Sequence, residues 1–369
     1  MKLICEKNEL QRCVNIVTKA VAVKSPINLL EGILIKAEEN KMTLYGSDGT
    51  LSIKCTTEST VFEQGKIVLP ARLFSEILTK FDACEISMYT EGNNMIMECG
   101  HSVTTLCYME ADSYPDFPSC SQTKGAVMFS NQLVSMIDQT VFATSINEDK
   151  PILTGILFEF EKNLSKMVAL DGYRLAIRQE NIQMGIEPDT EIVVPSKSMR
   201  EIARILPEDE QTIKLYANDN LVSVICGNIE IATRVLQGDY VKYKNILPNE
   251  FTTRLIVNKQ SLQNSLERAS ILARQSKTNL VNLKINGDIL TITSDSEIGK
   301  AREEVSIMLT GKNLDISFNS RYLLDVLKEV DDEEVVFEMN TSISPCMIRP
   351  IQGESYLYLV LPVKTNNIN

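Results

Sequence analysis

The chain repeats itself at about one third of its length, and that repetition limits what it can fold into. PARLFSEILTKF from Pro70, PSKSMREIARIL from Pro195 and NSRYLLDVLKEV from Asn319 align without gaps, offset by 125 and then 124 residues. Apolar residues hold matching places on a 3.6-residue period: Phe74, Met199 and Leu323; Ile77, Ile202 and Val326; Leu78, Ala203 and Leu327; Phe81, Leu206 and Val330. Each copy is therefore predicted to be an amphipathic helix. Its third residue is basic (Arg72, Lys197, Arg321) and its seventh acidic (Glu76, Glu201, Asp325), four apart on one side, where a solvated i,i+4 pair is the simplest reading. A second helix opens each copy, carried by Leu10, Cys13, Val14 and Val17, then Leu133, Met136, Ile137 and Val141, then Leu262, Leu266 and Ala269. A strand and a hairpin follow each time: EGILIKA with TLYGSDGTLSIK, TGILFEFE with MVALDGYRLAIR, and VNLKING with TITSDSEIGKAREE. Asp48, Asp171 and Asp295 correspond at offsets of 123 and 124, so the turn is a repeated device. In the second copy the Asp171-Gly172 turn leads into Arg174, a charge among apolar neighbours that the repeat alone does not explain.

Three α+β units follow, at 1–122, 127–248 and 249–369, with junctions near 120–127 (Pro115, Pro118 and Gly125) and 247–253 (Pro248). A chain of 369 residues is long for one core, in keeping with several units. Each unit is expected to present helices on one face of an antiparallel sheet, and such units chained side by side make a curved array. The six predicted helices (8–20, 71–81, 131–143, 196–206, 259–274 and 320–330) carry twelve basic and seven acidic residues, a local +5 in a chain of net charge −12. If they line one concave face, that face is positive and the exterior acidic, a division suited to surrounding DNA without adhering to it from outside. A solvated helix face has the same composition, so charge alone leaves both readings open. The overall acidity argues against nonspecific coating of nucleic acid, which depends on Lys and Arg neutralising phosphates.

Several function classes are disfavoured by what the chain contains. It has no 18-residue apolar run, and MKLICEKNEL lacks the apolar core of a signal peptide, so a cytoplasmic protein without a membrane span is expected. Nine cysteines with no CxxC spacing read as buried free thiols. The single histidine, His101, is a poor basis for a Ser-His-Asp or Cys-His arrangement, and no Cys/His cluster has the spacing of a zinc site. There is no GxxxxGK[ST] phosphate loop and no GxGxxG fingerprint. No catalytic residue, metal or cofactor is expected. Acid-rich PEDEQ (207–211) and DDEEVVFE (331–338) keep one alternative open, a carboxylate- and metal-dependent hydrolase on a repeated α+β scaffold, although both follow a repeat helix and read first as solvated turns.

Five blocks then stand out in order: VALDGYRLA (168–176), VVPSKSMREIARIL (193–206), GDYVKYKNILP (238–248), FNSRYLLDVLKEV (318–330) and YLYLVLPVK (356–364). On these blocks and the threefold repeat, the chain resembles the β subunits of bacterial DNA polymerase III, the replicative sliding clamps, over essentially its whole length. The resemblance implies an α+β architecture of three repeated domains of the DNA clamp fold, with inner helices and outer antiparallel sheets. It further implies a crescent that pairs head to tail into a homodimeric ring around duplex DNA, a processivity factor with no catalysis of its own. The implied partners are duplex DNA without sequence preference and, through linear motifs, the polymerase III α subunit, the clamp loader and repair proteins.

Carried over residue by residue, the client pocket between the second and third domains falls on Leu153, Gly172, Arg174, Leu175, Ile246, Tyr322, Ile343, Val360, Leu361, Pro362 and Val363. There Arg174 would border an apolar pocket and offer hydrogen bonds to a peptide. DNA contacts fall on Lys24, Arg72, Asn147 and Lys197, with Arg200, Arg204 and Arg268 added by helical position. The dimer interface falls on Leu106 of the first domain facing Ile271 and Leu272 of the third, with Glu303 and Glu304 nearby. Val241, Asn245 and Pro345 depart from the family pattern around the pocket, Thr104 stands where an aromatic residue is common at the dimer edge, and TNNIN (365–369) runs past the expected end. A peptide-binding scaffold that never encircles DNA remains a third reading.

Overall fold

The structure, a computed structural model, describes residues 1–120, 125–161, 163–182, 190–275 and 278–364. The TNNIN tail and residues 121–124 of the first expected junction lie outside these. Six α-helices occur among the described residues: α1 (Lys7–Val17), α2 (Ala71–Leu78), α3 (Ser130–Val141), α4 (Ser196–Ile205), α5 (Lys259–Ala273) and α6 (Ser320–Glu329). They are the six that apolar spacing predicts. Helices this short are marginal alone, so burial of the apolar stripe must hold them. Leu10, Cys13, Val14 and Val17 of α1, Leu262, Leu266 and Ala269 of α5, and Phe74, Met199 and Leu323 of the other repeat set are all buried. Each fully buried aliphatic or aromatic side chain contributes about 1.5–3 kcal/mol. Asn258 caps α5 by accepting from the Ser261 amide (2.9 Å), and Asn319 caps α6 by accepting from the Arg321 amide (3.0 Å), where the earlier copies use proline.

The described residues group into two compact units, one of 1–134 with 197–235 and one of 135–182 with 190–196 and 236–364. Strand pairing explains the grouping. In the first unit a nine-stranded antiparallel sheet runs, in spatial order, through 109–110, 65–70, 32–38, 41–47, 51–58, 229–234, 221–226, 212–217 and 126–129. Leu51–Glu58 of the first sequence copy pairs directly with Ile229–Arg234 of the second, Ile53 opposite Ile231. A five-stranded sheet (60–63, 2–6, 85–91, 94–99, 102–107) completes that unit. In the second unit a twelve-stranded sheet runs through 190–195, 155–161, 164–170, 174–181, 356–360, 346–349, 334–339, 253–258, 299–311, 289–296, 280–286 and 314–319. Here Arg174–Asn181 pairs with Tyr356–Val360, Arg174 opposite Val360. The strands of the second sequence copy thus divide between two sheets.

Three expectations are corrected. The first concerns the repeated turn. Asp48 and Asp171 make the same loop: the Asp48 amide donates to Leu51 O (3.1 Å) and Oδ1 accepts from Thr50 and Leu51, while the Asp171 amide donates to Arg174 O (3.3 Å) and Oδ1 accepts from Tyr173 and Arg174. Gly49 and Gly172 follow at φ 88° and 91°, a backbone that favours glycine. Asp295 has no such role, because it sits within a strand opposite Lys300 and the tighter turn is Glu297-Ile298. The second concerns the i,i+4 pairs. Arg72–Glu76 (2.9 Å) and Arg321–Asp325 (3.9 Å) form, but Lys197 turns instead to Asp48 (3.4 Å) and Glu201 to Arg204 (2.7 Å). The third concerns the thiols: Cys84 and Cys99 form a disulfide with their Cα atoms 6.3 Å apart. Antiparallel pairing of 85–91 with 94–99 brings those two positions together, and it leaves seven free cysteines, of which Cys107 is exposed.

Candidate functional site

The Asp171 loop delivers Arg174 into a three-way junction in the second unit. Its Nε donates to Asp171 Oδ2 (3.1 Å), its Nη1 to Asp325 Oδ2 of α6 (2.6 Å) and its Nη2 to the carbonyl of Phe142, just past the end of α3 (2.7 Å). The guanidinium also lies 4.7 Å from the Tyr322 ring centroid and 5.3 Å from that of Phe142. The side chain is 9% exposed, and three of its five N–H donors are bonded within the chain. Asp325 is closer to Arg174 than to Arg321, its repeat partner, at 3.9 Å.

Around Arg174 stand several of the expected pocket residues. Tyr173, 61% exposed, stacks on Tyr322 with centroids 6.1 Å apart and planes at 24°. Burial is the main cause raising the Tyr322 phenol above its ordinary value, with Asp171 adding to it. The Tyr173 carbonyl accepts from the Leu361 amide (2.8 Å), and the Val363 amide donates to Ser317 O (2.8 Å), so Val360–Val363 is strung between the hairpin and strand Leu314–Asn319. Cys346 opposite Val360 makes Pro345 face the position of Leu361, with Ile343 two residues earlier and exposed. Leu153 and Leu175 lie deeper, in one buried cluster with Leu157, Leu170, Tyr243 and Leu359. Ile246 ends the 3-10 turn Tyr243–Ile246 that this cluster anchors, and is itself exposed. Gly172 supplies the turn. The departures Val241 and Asn245 are exposed.

The candidates for DNA contact are exposed on both units. Lys24, Arg72, Lys197, Arg200 and Arg204 belong to the first; Asn147 and Arg268 belong to the second. Four already hold carboxylates: Arg72 with Glu76, Lys197 with Asp48, Arg204 with Glu201, and Arg268 with Glu303 at 2.5 Å. Exposed pairs of this kind are worth about 0–1 kcal/mol, so a phosphate can compete for each cation. Asn147 donates to Asp149 Oδ2 and accepts from its amide, both at 3.0 Å, in an exposed loop.

The residues carried over for the dimer sit at two sheet edges. Ser102–Cys107, with Thr104 and half-buried Leu106, pairs only with 94–99 among the described residues, and Val103 on it is 65% exposed. Gly299–Gly311 is paired on both sides only in part: 299–306 faces 289–296, while 253–257 reaches only 307–311. Among the described residues 299–306 has no strand on its other edge, and it carries Glu303 and Glu304, held by Arg268 and Arg302. The Arg268 hydrogen bond, chiefly, lowers the Glu303 carboxyl below its ordinary value. Ile271 is exposed at the end of α5, and Leu272 lies against Gly299 beside the exposed turn residue Ile298.

Three models of one family match in order: the N-terminal domain of the DNA polymerase III beta subunit over residues 1–118, its central domain over 128–242 and its C-terminal domain over 244–364. The chain belongs to the DNA polymerase III β-subunit family. The beta sliding clamp of Staphylococcus epidermidis RP62A is 32% identical over 358 residues, covering 94% of this chain and 95% of that one. The DNA polymerase sliding clamp of Bacillus subtilis superposes with a TM-score of 0.97 at 31% identity, over 99% of this chain and all of the other. A putative DNA polymerase III beta subunit from Eubacterium rectale gives 0.94 at 30% identity, again over 99% and 100%. Membership assigns the function of a sliding clamp, a non-catalytic accessory of the polymerase, and nothing in these comparisons supports the hydrolase alternative.

Within this β subunit the sequence reading missed Tyr173, Asp171, Phe142 and Asp325 around the pocket, and Val103 and Ile298 at the edges. A signal for the first group was present in the repeat. Shifting by 123 places Leu51 where Arg174 stands, and shifting by 124 places Ser198 where Tyr322 stands, both of them buried. The turn is common to two copies, whereas the charge and the ring are peculiar to one.

Proposed function

We propose that two copies of this sliding clamp, each built of units 1–122, 127–248 and 249–369, close head to tail around duplex DNA by adding 102–107 of one to 299–306 of the other. The ring holds a polymerase by a linear motif docked near Tyr173, Tyr322 and Leu361. The ordered match of three clamp domains over residues 1–364 carries this reading. Two open sheet edges, one on each unit and each flanked by exposed apolar residues, support the closure. Exposed Lys24, Arg72, Lys197, Arg200, Arg204 and Arg268 suit phosphates, contacts that carry no sequence information. Other clients, among them the polymerase III α subunit, the clamp loader and repair proteins, would share the one pocket in turn.

The test is topological. After loading, circular duplex is expected to retain the protein at moderate salt, and cutting the circle is expected to release it. Direct binding to short duplex should instead weaken steeply with salt, by about 0.9 log units per log unit of salt for every phosphate neutralised. Equal retention on circular and linear DNA would end the encircling model.

A further inference from the structure

We propose that Arg174 is a positioning residue that couples the client pocket to the loop carrying Asn147, an inference that rests on the clamp reading above. The last carbonyls of a helix lack partners within it. Past α3, the Phe142 carbonyl is satisfied by Arg174 Nη2 at 2.7 Å, with the Phe142 ring packed near the same guanidinium. Beyond it the Ala143 amide donates back to Thr140 O (3.0 Å), the Ser145 amide to Leu153 O across the loop (2.9 Å) and the Asn147 amide to Ser145 Oγ (3.0 Å). The course of the chain toward Asn147 thus depends in part on how it leaves Phe142, where Arg174 holds the carbonyl.

The other side of the same guanidinium is fixed by Asp325 and Asp171, at the foot of the Tyr173–Tyr322 stack. Arginine presents its donors as a rigid planar fork. Three of its five N–H donors are taken, so an occupant that bonds the remaining hydrogen on Nη1 or Nη2 pulls on the same rigid plane that holds Asp325, Asp171 and Phe142 O. Occupancy of the pocket is then felt in residues 143–150, and by linkage an event at Asn147 is felt in the pocket. The first copy provides an internal comparison, because Leu51, which has no side-chain donor, stands in the place of Arg174 while its loop keeps the matching bond from the Ala22 amide to Leu30 O (3.1 Å).

Backbone amide hydrogen exchange on the full-length protein tests this directly. In Arg174→Lys, which keeps the charge but not the fork, and in Asp325→Ala, the amides of Ser145 and Asn147 should exchange roughly fivefold faster. Loop 20–31 and the buried amides of α5 should be unchanged. Unaltered exchange at 143–150 in both variants, or an equal acceleration throughout the chain, overturns the coupling. A second arm reads anisotropy of a labelled short duplex at low salt. Asp325→Ala removes a negative charge, so the field alone would tighten DNA binding, whereas a loosened Asn147 loop should weaken it by roughly threefold. Tighter binding overturns the proposal. The exchange arm contains no DNA, so its outcome is independent of whether the protein encircles a duplex, which the circular-DNA experiment decides.

Discussion

Arg174→Ala is expected to lower the stability of the chain by about 3 kcal/mol as well as to weaken peptide binding. The substitution leaves three acceptors without their donor: Asp171 Oδ2, Asp325 Oδ2 and the carbonyl of Phe142. Breaking a largely buried pair from one side costs about 3–5 kcal/mol, because the remaining charge keeps its desolvation penalty. Two compensations put this case at the low end. Arg321 already lies 3.9 Å from Asp325 and can close on it, and Asp171 keeps its turn through Oδ1, which accepts from Tyr173 and Arg174 amides that the substitution does not remove. Chemical denaturation should therefore show a lower midpoint at constant slope. A synthetic peptide carrying the polymerase's linear motif should bind more weakly by about 1–3 kcal/mol, as for loss of an interface anchor. Arg174→Lys should recover little of either loss, since the three donors of an ammonium sit on one atom and cannot span acceptors that the guanidinium reaches from three nitrogens. An unchanged denaturation midpoint would mean that the junction contributes nothing to the fold.

What the sequence disclosed and what it hid divide along physical lines. Helices α1 to α6 were legible because a 3.6-residue apolar period needs only local order, and its gapless recurrence at Phe74, Met199 and Leu323 removed the ambiguity of any single window. Strands such as Thr253–Asn258 and Glu334–Met339 were legible from alternation. The joining of Leu51–Glu58 to Ile229–Arg234 was not, because pairing across some 180 residues leaves no local trace. For the same reason the second copy could be delimited in sequence while its strands divided between two sheets. The Asp295 turn failed because equal offset does not guarantee equal loop length, and the third copy closes its hairpin two residues later. At the site, the pocket residues came from likeness to the family. The partners of Arg174 come from three separate elements, α6, the end of α3 and its own turn, which only folding brings together. Comparing the copies for where they differ, Leu51 against Arg174 and Ser198 against Tyr322, would have marked that junction, since shared positions report the scaffold and unshared ones the task.

Ile271→Asp is expected to turn the ring into single chains while leaving each chain folded. Ile271 is 62% exposed, so the isolated chain loses little by the change, typically within about 0.5 kcal/mol for such a surface position. In a closed ring the same aspartate would be buried beside Leu272, Ile298 and the 299–306 edge. Two of the cations nearest it are already engaged, Arg268 by Glu303 and Arg302 by Glu304. An unpaired buried carboxylate costs several kcal/mol. About 4 kcal/mol corresponds to a rise in dimer Kd of roughly a thousandfold. Sedimentation at micromolar protein should then report 41.4 kDa in place of twice that mass. Retention on circular DNA should vanish, because topological linkage needs closure, yet peptide affinity should stay at the wild-type value, since Tyr173, Arg174 and Tyr322 are untouched. Thr104 sharpens the test. A threonine brings little apolar area to this edge, which makes the share borne by Ile271 and Leu272 larger. A variant that sediments as a dimer and stays on circles would show that 102–107 and 299–306 are not where the ring closes.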